Sequence, residues 1–356
     1  MDREIIRREL DRRAPGGPLA TARHEPDRLH ILSGVYQGLT TGDPICLVLE
    51  NRDARSGDYE ALRNKPRPGH ADYAAWVRSG GHNDPRGGGP YSGRLTAPLV
   101  AAGAMVKAWL KEQDIQLTAR VVDEAALRQQ AAEAKADGDS VGGEIACTVT
   151  GLPAGLGGPG WREAVESELA RHLFAIPAVK ALGFGDGAAL AHMRGSRAND
   201  PLRTDGTNVR TVTNHNGGIN GGVTNGMPLT FTVTFKPTPS IALPQDTVDL
   251  SRMENCTVAV TGRHDPCIAL RAAPIVEAAA APGAAAWKPC GCSWTMWTGS
   301  WWGCWSGGRS CPGTSGPIRR PTVSRCGTRS GRPRCCAAGA TWPRSTGRRW
   351  SACMRR

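Results

Sequence analysis

The chain is poor in aromatic residues, has no apolar run of eighteen, and carries no aspartate or glutamate after Glu277. Each absence excludes something. A membrane-spanning helix needs about 20 consecutive apolar residues, so none is expected. The N-terminal MDREIIRRELDRR is charged and lacks the apolar stretch of a secretory signal, which points to the cytoplasm. Aromatics make up only 5% of 356 residues, against 45 glycines. That balance suggests a turn-rich protein mixing strands and helices, long enough for one large domain or two ordinary ones.

The net charge of +12 invites a nucleic-acid reading, but its distribution argues against one. Residues 287–356 hold twelve arginines and one lysine, so this stretch carries +13 and the remainder −1. The same stretch has eight of the twelve cysteines and eight of the eleven tryptophans, no histidine, and a period of neither 3.6 nor 2. Zinc ligation fails on the spacing of Cys290-Gly-Cys292 and Cys335-Cys336. A disulfide framework conflicts with a cytoplasmic setting, and phosphate contact requires neither tryptophan nor cysteine. GC-rich codons read out of frame give this composition. We therefore expect a core over 1–281 and an aberrant, disordered tail over 282–356, with no metal site.

What the chain does have is concentrated between Pro66 and Pro98. Two histidines (His70, His82), two aspartates (Asp72, Asp84) and four arginines (Arg67, Arg78, Arg86, Arg94) lie there among the glycine turns 80–81 and 87–89. Consecutive glycines let a ligand approach the main chain closely. Ser92 and Arg94 precede an apolar-periodic segment and would sit near a helix N-terminus, a ready anion site. A plain solvated loop needs less charge than this, so a phosphorylated ligand is the expectation.

Elsewhere the periodicity predicts a helix over 2–13 with Ile6 and Leu10 on one face, then strands over 30–36 and 44–50, the second buried. Arg55, in the polar loop 51–59, suits an ion-pair centre as well as a ligand contact. A helix from Arg94 to Glu112 would bury Leu95, Leu99, Ala102, Val106 and Trp109 or Leu110. A strand over 115–122, a surface helix over 124–136 and a strand through Ile145, Cys147 and Val149 follow. Trp161, Val165, Leu169 and Leu173 mark another helix. Cys147 and Cys256 are expected to be buried small apolar residues. Leu229, Phe231, Val233 and Phe235 alternate with threonines in a half-buried strand that delivers Lys236, Thr238 and Ser240. The glycine turn 217–222 precedes it and is expected beside the same site. Residues 94–185 and 208–281 hint at two similar halves.

RPGHADY (67–73), RGGG (86–89) and SGRLTA (92–97) stand in series. Around them lie ILSGVYQGLTTGDP (31–44), DARSGDY (53–59), GLPAGLG (151–157), GFGDG (183–187), NHNGGINGG (214–222), FKPTPSI (235–241) and GRHDPC (262–267). Together and in this order they resemble the chorismate synthase family over about residues 1–280. The resemblance implies an α+β fold, a β-α-β sandwich of antiparallel sheets around helices, assembled as a homotetramer. It implies a lyase of the shikimate pathway, which removes phosphate from 5-enolpyruvylshikimate 3-phosphate by anti-1,4-elimination to give chorismate. The cofactor would be reduced FMN, with NADPH involved only indirectly through a flavin reductase.

By the same resemblance His70 protonates the reduced flavin at N1, and Asp265 assists removal of the ring proton through flavin N5. Arg67 would bind substrate. Arg13, Ser92, Arg94, Ala178, Gly221, Lys236, Pro237, Thr238, Pro239, Ser240 and Arg263 would hold or line the flavin. Some features depart from the pattern. The Gly-Glu-Ser-His-Gly block that precedes the first helix would fall upstream of Met1, so the chain is expected to begin inside the family's N-terminal segment. Pro90 and Pro177 replace polar residues. These departures predict weak or no turnover and leave two other readings open, an inactive flavin-binding fragment and a nucleic-acid binder acting through the tail.

Overall fold

Helix α1 (Arg3–Arg13) begins where the Asp2 carboxylate accepts the Glu4 N–H, and it buries Ile6 and Leu10 as their spacing requires. The computed structural model describes residues 2–20, 27–50, 62–84, 89–260 and 264–286. The chain divides into the units Met1–Cys311 and Pro312–Arg356, and every described residue lies in the first. Strand β1 (Leu29–Ser33) leads into the short ribbon of β2 (Val35–Tyr36) and β3 (Leu39–Thr40) and pairs antiparallel with β4 (Cys46–Leu49). The segment 44–50 is less buried than expected: only Ile45 and Leu47 are fully enclosed, because β4 has a single neighbouring strand.

Helix α2 (Asp72–Ser79) ends on Gly80 in the left-handed conformation. Helix α3 (Thr96–Lys111) starts two residues later than expected, after a 3-10 turn over Gly93–Leu95. Its buried residues include Ala97, Val100, Ala101, Ala104, Val106 and Leu110, whereas Leu95, Leu99, Ala102 and Trp109 are half-buried. The expected stripe is displaced because another helix crosses at Gly103, where an added Cβ would lie 2.4 Å from the Ala278 Cβ.

Strand β5 (Gln116–Val121), helix α4 (Glu124–Ala136) and strand β6 (Gly143–Thr150) form as predicted. Helix α5 (Val165–Leu173) buries Val165, Leu169 and Leu173, but Trp161 precedes it and is 88% exposed, so it is no part of that face. Strand β7 (Val179–Phe184), the single turn α6 (Gly195–Ala198) and two hairpins follow. These are β8 (Leu202–Thr204) with β9 (Val209–Thr211), and β10 (Ile219–Asn220) with β11 (Val223–Thr224). Then come β12 (Leu229–Phe235), the hairpin β13 (Gln245–Asp249) and β14 (Glu254–Val258), and helix α7 (Ala273–Ala286). Cys147 is buried as expected; Cys256, on the two-stranded hairpin, is only half-buried.

The central sheet is antiparallel with order β5-β6-β12-β7. Strand β12, from the later half, inserts between two strands of the earlier half. Among the described residues the two halves therefore share one sheet. Leu117, Ala119, Val121, Ile145, Cys147, Val149, Leu229, Phe231 and Val233 line its inner face, while Thr230, Thr232 and Thr234 point outward. Helix α7 packs against the sheet, α1, α3 and α5, and every residue from Pro274 to Ala285 is buried. It is apolar on all sides, as a fully interior helix must be.

The exception is Glu277. Its carboxylate accepts from Arg12 Nη1 at 2.7 Å, from Arg12 Nη2 at 3.0 Å, from the Ala119 N–H at 2.9 Å and from Lys107. Burial opposes the charge, yet the Arg12 hydrogen bonds and the Lys107 charge hold the group below its ordinary range. The four bonds tie α7 to α1, α3 and β5. Removing one partner of such a buried network costs about 3–5 kcal/mol.

Candidate active site

The turn 67–70 approaches the N-terminus of α2, where Asp72 occupies the first turn. Asp72 Oδ2 accepts the Arg67 N–H at 3.1 Å and Arg67 Nε at 2.7 Å. Oδ1 accepts Arg67 Nη2 at 2.9 Å and is 2.5 Å from His70 Nδ1. Burial works against the Asp72 charge, but the hydrogen bonds from Arg67 and His70 outweigh it and hold the carboxyl well below the usual range. Arg67 Nη2 is 3.0 Å from His70 Nδ1 and 3.3 Å from Nε2. A single nitrogen almost equally far from both ring nitrogens lies over the ring and not in line with either, so the guanidinium stacks on the imidazole.

The segment after β12 meets this turn. Arg67 Nη1 donates to Ser240 Oγ at 3.1 Å, and Lys236 Nζ donates to the Gly69 carbonyl. A Cβ on Gly69, which has φ +69, would sit 3.6 Å from Pro239. The Lys236 N–H donates to the Ala178 carbonyl at 3.0 Å, and Ala178 holds φ at 72°, a strained value for a residue with a side chain. Ser140 Oγ donates to the Thr238 carbonyl at 2.7 Å, and a Cβ on Gly142 would lie 3.3 Å from Pro237. The Thr238 hydroxyl is buried with no hydrogen-bond partner among the described residues. Burial, and then the charge of Lys180, lower the Lys236 pKa.

Asp265 lies nearby in the chain of contacts, because the Val141 N–H donates to the Pro266 carbonyl at 2.8 Å. Its buried carboxylate accepts Arg271 Nη2 at 2.6 Å, more than plain Asp-Pro turn chemistry requires. Arg271 Nη1 also donates to the Arg13 carbonyl at 3.4 Å. Arg13 is buried, paired to Asp27 at 2.6 Å and 3.4 Å from the Thr96 hydroxyl, and its Nε has no partner among the described residues. Ser92 accepts the Arg94 N–H at 3.3 Å at the start of the turn before α3. Arg263, the loop 51–59 with Arg55, and Arg86 lie outside the described residues.

The contacts bring together Arg67, His70, Ala178 and 236–240, and they string Asp265 and Arg13 along an adjoining network. Gly221 is elsewhere. It caps the β10–β11 hairpin at the Leu229 end of β12, where an added Cβ meets nothing. Lys236 follows the other end of that strand, about 20 Å away at ~3.4 Å per residue. The expectation of a glycine turn beside Lys236 is thus corrected for a single chain. At that far end His215 Nδ1 is 2.6 Å from Asp186 Oδ2. Asp200 there accepts the Thr213 hydroxyl at 2.7 Å and the N–H groups of His215 and Asn216 at 2.8 and 3.1 Å.

Sequence reasoning assigned no role to Asp72, Asp27, Thr96 or Arg271. Asp72 stands two residues after His70, a readable signal. The others are brought in only by tertiary packing. Cys147 is excluded as a nucleophile, since burial and then the Glu277 charge push its thiol up.

Clustered cations, an imidazole held by a carboxylate and an unsatisfied hydroxyl beside an antiparallel sheet define an enzyme for a small anionic molecule. The particular family follows from comparison. The family model described as chorismate synthase matches residues 1–126 and 122–285. The chorismate synthase of Thermococcus kodakarensis is 46% identical over 304 residues, covering 78% of this chain and 85% of that one. That of Aeropyrum pernix is 46% identical over 313 residues, covering 79% and 82%. A crystal structure of a chorismate synthase aligns with a TM-score of 0.60 at 24% identity over 81% of this chain and 83% of that one, a likeness of fold. The chain belongs to the chorismate synthase family.

Proposed function

We propose that this chain, a lyase, converts 5-enolpyruvylshikimate 3-phosphate to chorismate by anti-1,4-elimination of phosphate, with reduced FMN as cofactor. The observation that carries the reading is the contact between the 67–72 turn and 236–240. It brings Arg67 and His70 to a segment that carries Lys236, Ser240 and the unpartnered Thr238 hydroxyl. The donor set fits an anionic, acceptor-rich cofactor and a substrate bearing two carboxylates and a phosphate.

Bound there, reduced flavin supplies electron density with no net redox change in the overall reaction. His70 holds a proton at Nε2 for flavin N1, since Nδ1 is occupied by Asp72. Asp265, oriented by Arg271, would take part in removing the ring proton, chemistry to which the N5 of a bound flavin would contribute. Arg67, Arg94 and Arg263 serve as fixed positive charges for substrate or flavin phosphate. Arg13, Ser92, Ala178, Lys236, Pro237, Thr238, Pro239 and Ser240 line the flavin, and Gly221, at the far end of β12, would join them only from another copy of the chain in the assembly.

NADPH enters only through a separate flavin reductase, and the working assembly is a homotetramer in the cytoplasm. Among the described residues no helix is long and apolar enough to cross a membrane. The core, expected to end at 281, runs on through α7 to Ala286, and Pro282 to Ala285 are buried within it. The test is an anaerobic assay of the purified chain with photoreduced FMN, following chorismate absorbance and released phosphate. Weak turnover that needs reduced flavin is expected. Tight FMN binding with no turnover overturns the reading in favour of a flavin-binding fragment. Salt-steep DNA binding lost on deleting 287–356 points instead to the tail.

A further inference from the structure

We infer that Asp72 is a positioning residue that fixes which nitrogen of His70 faces the bound ligands; this rests on the role proposed for His70. Asp72 sits two residues from His70 and offers it an oxygen at 2.5 Å, while both Asp72 oxygens are also committed to Arg67. The hydrogen bonds around Asp72 come from donors that cannot reverse: a backbone N–H and a guanidinium have protons and no lone pair. Facing an ionised carboxylate, His70 Nδ1 must also carry a proton. In the neutral ring the lone pair is then on Nε2. Arg67 Nη2, a donor, stands 3.3 Å from Nε2, where a lone pair suits it. Asp72 thereby makes Nε2 the one atom of His70 that can take up and give back a proton.

The same contacts dictate what an amide would do. In Asp72→Asn one of the two oxygens becomes an NH2 group. At the Oδ2 position it would oppose the Arg67 backbone N–H and Nε, neither of which can accept. At the Oδ1 position it would oppose Arg67 Nη2 and His70 Nδ1, and only the imidazole can answer by changing tautomer. The NH2 therefore turns to His70, Nδ1 becomes an acceptor, and the neutral ring carries its proton on Nε2. That neutral ring could release its Nε2 proton only as an imidazolate, so uptake and release of a proton at Nε2 are lost while the fold around Arg67 is kept.

The experiment is solid-state 15N NMR of the full chain labelled at histidine, with the His70 signals assigned by their loss in His70→Ala. The parent should show neutral His70 protonated at Nδ1, Asp72→Asn should show it at Nε2, and Asp72→Glu should restore the parent pattern. Ser240→Ala, which removes a different Arg67 contact, should leave the tautomer as in the parent. In the assay with reduced FMN, Asp72→Asn should lower kcat by about 10²-fold with KM within threefold of the parent. An Nδ1–H signal retained in Asp72→Asn, or a kcat within threefold of the parent, overturns the inference. The spectrum is recorded without flavin or substrate. A chain that shows the tautomer switch but never turns over therefore refutes the proposed reaction and leaves the Asp72 assignment standing.

Discussion

The molecule holds two histidine–aspartate pairs of nearly the same length at opposite ends of β12, and only one has the surroundings of a site. His70 is 2.5 Å from Asp72, and His215 is 2.6 Å from Asp186. The first pair lies under the Arg67 guanidinium, and Arg67 and Lys236 link it to a segment carrying an unpartnered hydroxyl. The second is more exposed, with side chains 26% and 42% accessible, and its neighbours serve to shape a loop. There Asp200 gathers the donors of 213–216, and Gly185 and Gly217 bring two backbones together. An imidazole beside a carboxylate is thus no diagnosis by itself. What separates the pairs is the cluster of positive groups around one of them and the unpartnered hydroxyl on the segment it meets.

That contrast is open to direct attack. His70→Ala should lower kcat by about 10²–10⁴-fold, the usual worth of a positioned acid or base. His215→Ala should stay within threefold of the parent in the same assay, and equal losses would erase the distinction. Arg67→Lys comes next. A point charge cannot reproduce the fork on Asp72, and kcat/KM should drop by about 10–100-fold, matching the ~1.5–3 kcal/mol of a charged hydrogen bond.

Gly185→Ala sharpens the comparison from the other end. Gly185 has φ +57, and an added Cβ would lie 2.0 Å from the His215 carbonyl. Stability measured by urea titration should fall by about 1–3 kcal/mol, while kcat at 25 °C stays within threefold because the 67–72 turn is untouched. The smallest effect is on acid stability. Asp72 is held below its ordinary range, and Asp200, despite the cost of burial, is lowered to about 2 by bonds from Asn216, Thr213 and His215. Both folded values are depressed, so each contribution is complete above the unfolded pKa of about 4 and fades as pH falls through the folded value. Asp72→Asn and Asp200→Asn should each flatten the loss of stability between pH 4 and 2 in a denaturant series.

Much of this was legible in the residues. Period-2 alternation in 229–235 and 145–149 gave β12 and β6, because strand side chains alternate between a packed and an open face. The density of charge around His70 marked the turn that becomes the centre of the site. Illegible were features that depend on a remote segment. The buried face of α3 is set by where α7 crosses Gly103, 175 residues later in the chain, which no local period encodes. Trp161 continued a helical spacing, yet the chain before Val165 turns away and leaves it in solvent. Nothing in the local sequence singles out Arg271, whose guanidinium folding places between Asp265 and the Arg13 carbonyl.

Helix α7 sets a schedule for synthesis. Its residues Pro274 to Ala285 are buried against α1, α3, α5 and the sheet, and they are the last described segment to leave the ribosome. Until then the inner faces of β5 and β6 and the Gly103 side of α3 have nothing to cover them, and the charges of Arg12 and Lys107 await Glu277. The nascent chain must carry some 270 residues with its central cavity open, for many seconds at ~5–20 residues per second. The contacts around α7 can form only late, so a chaperone has its longest opportunity on this protein just before that one helix arrives.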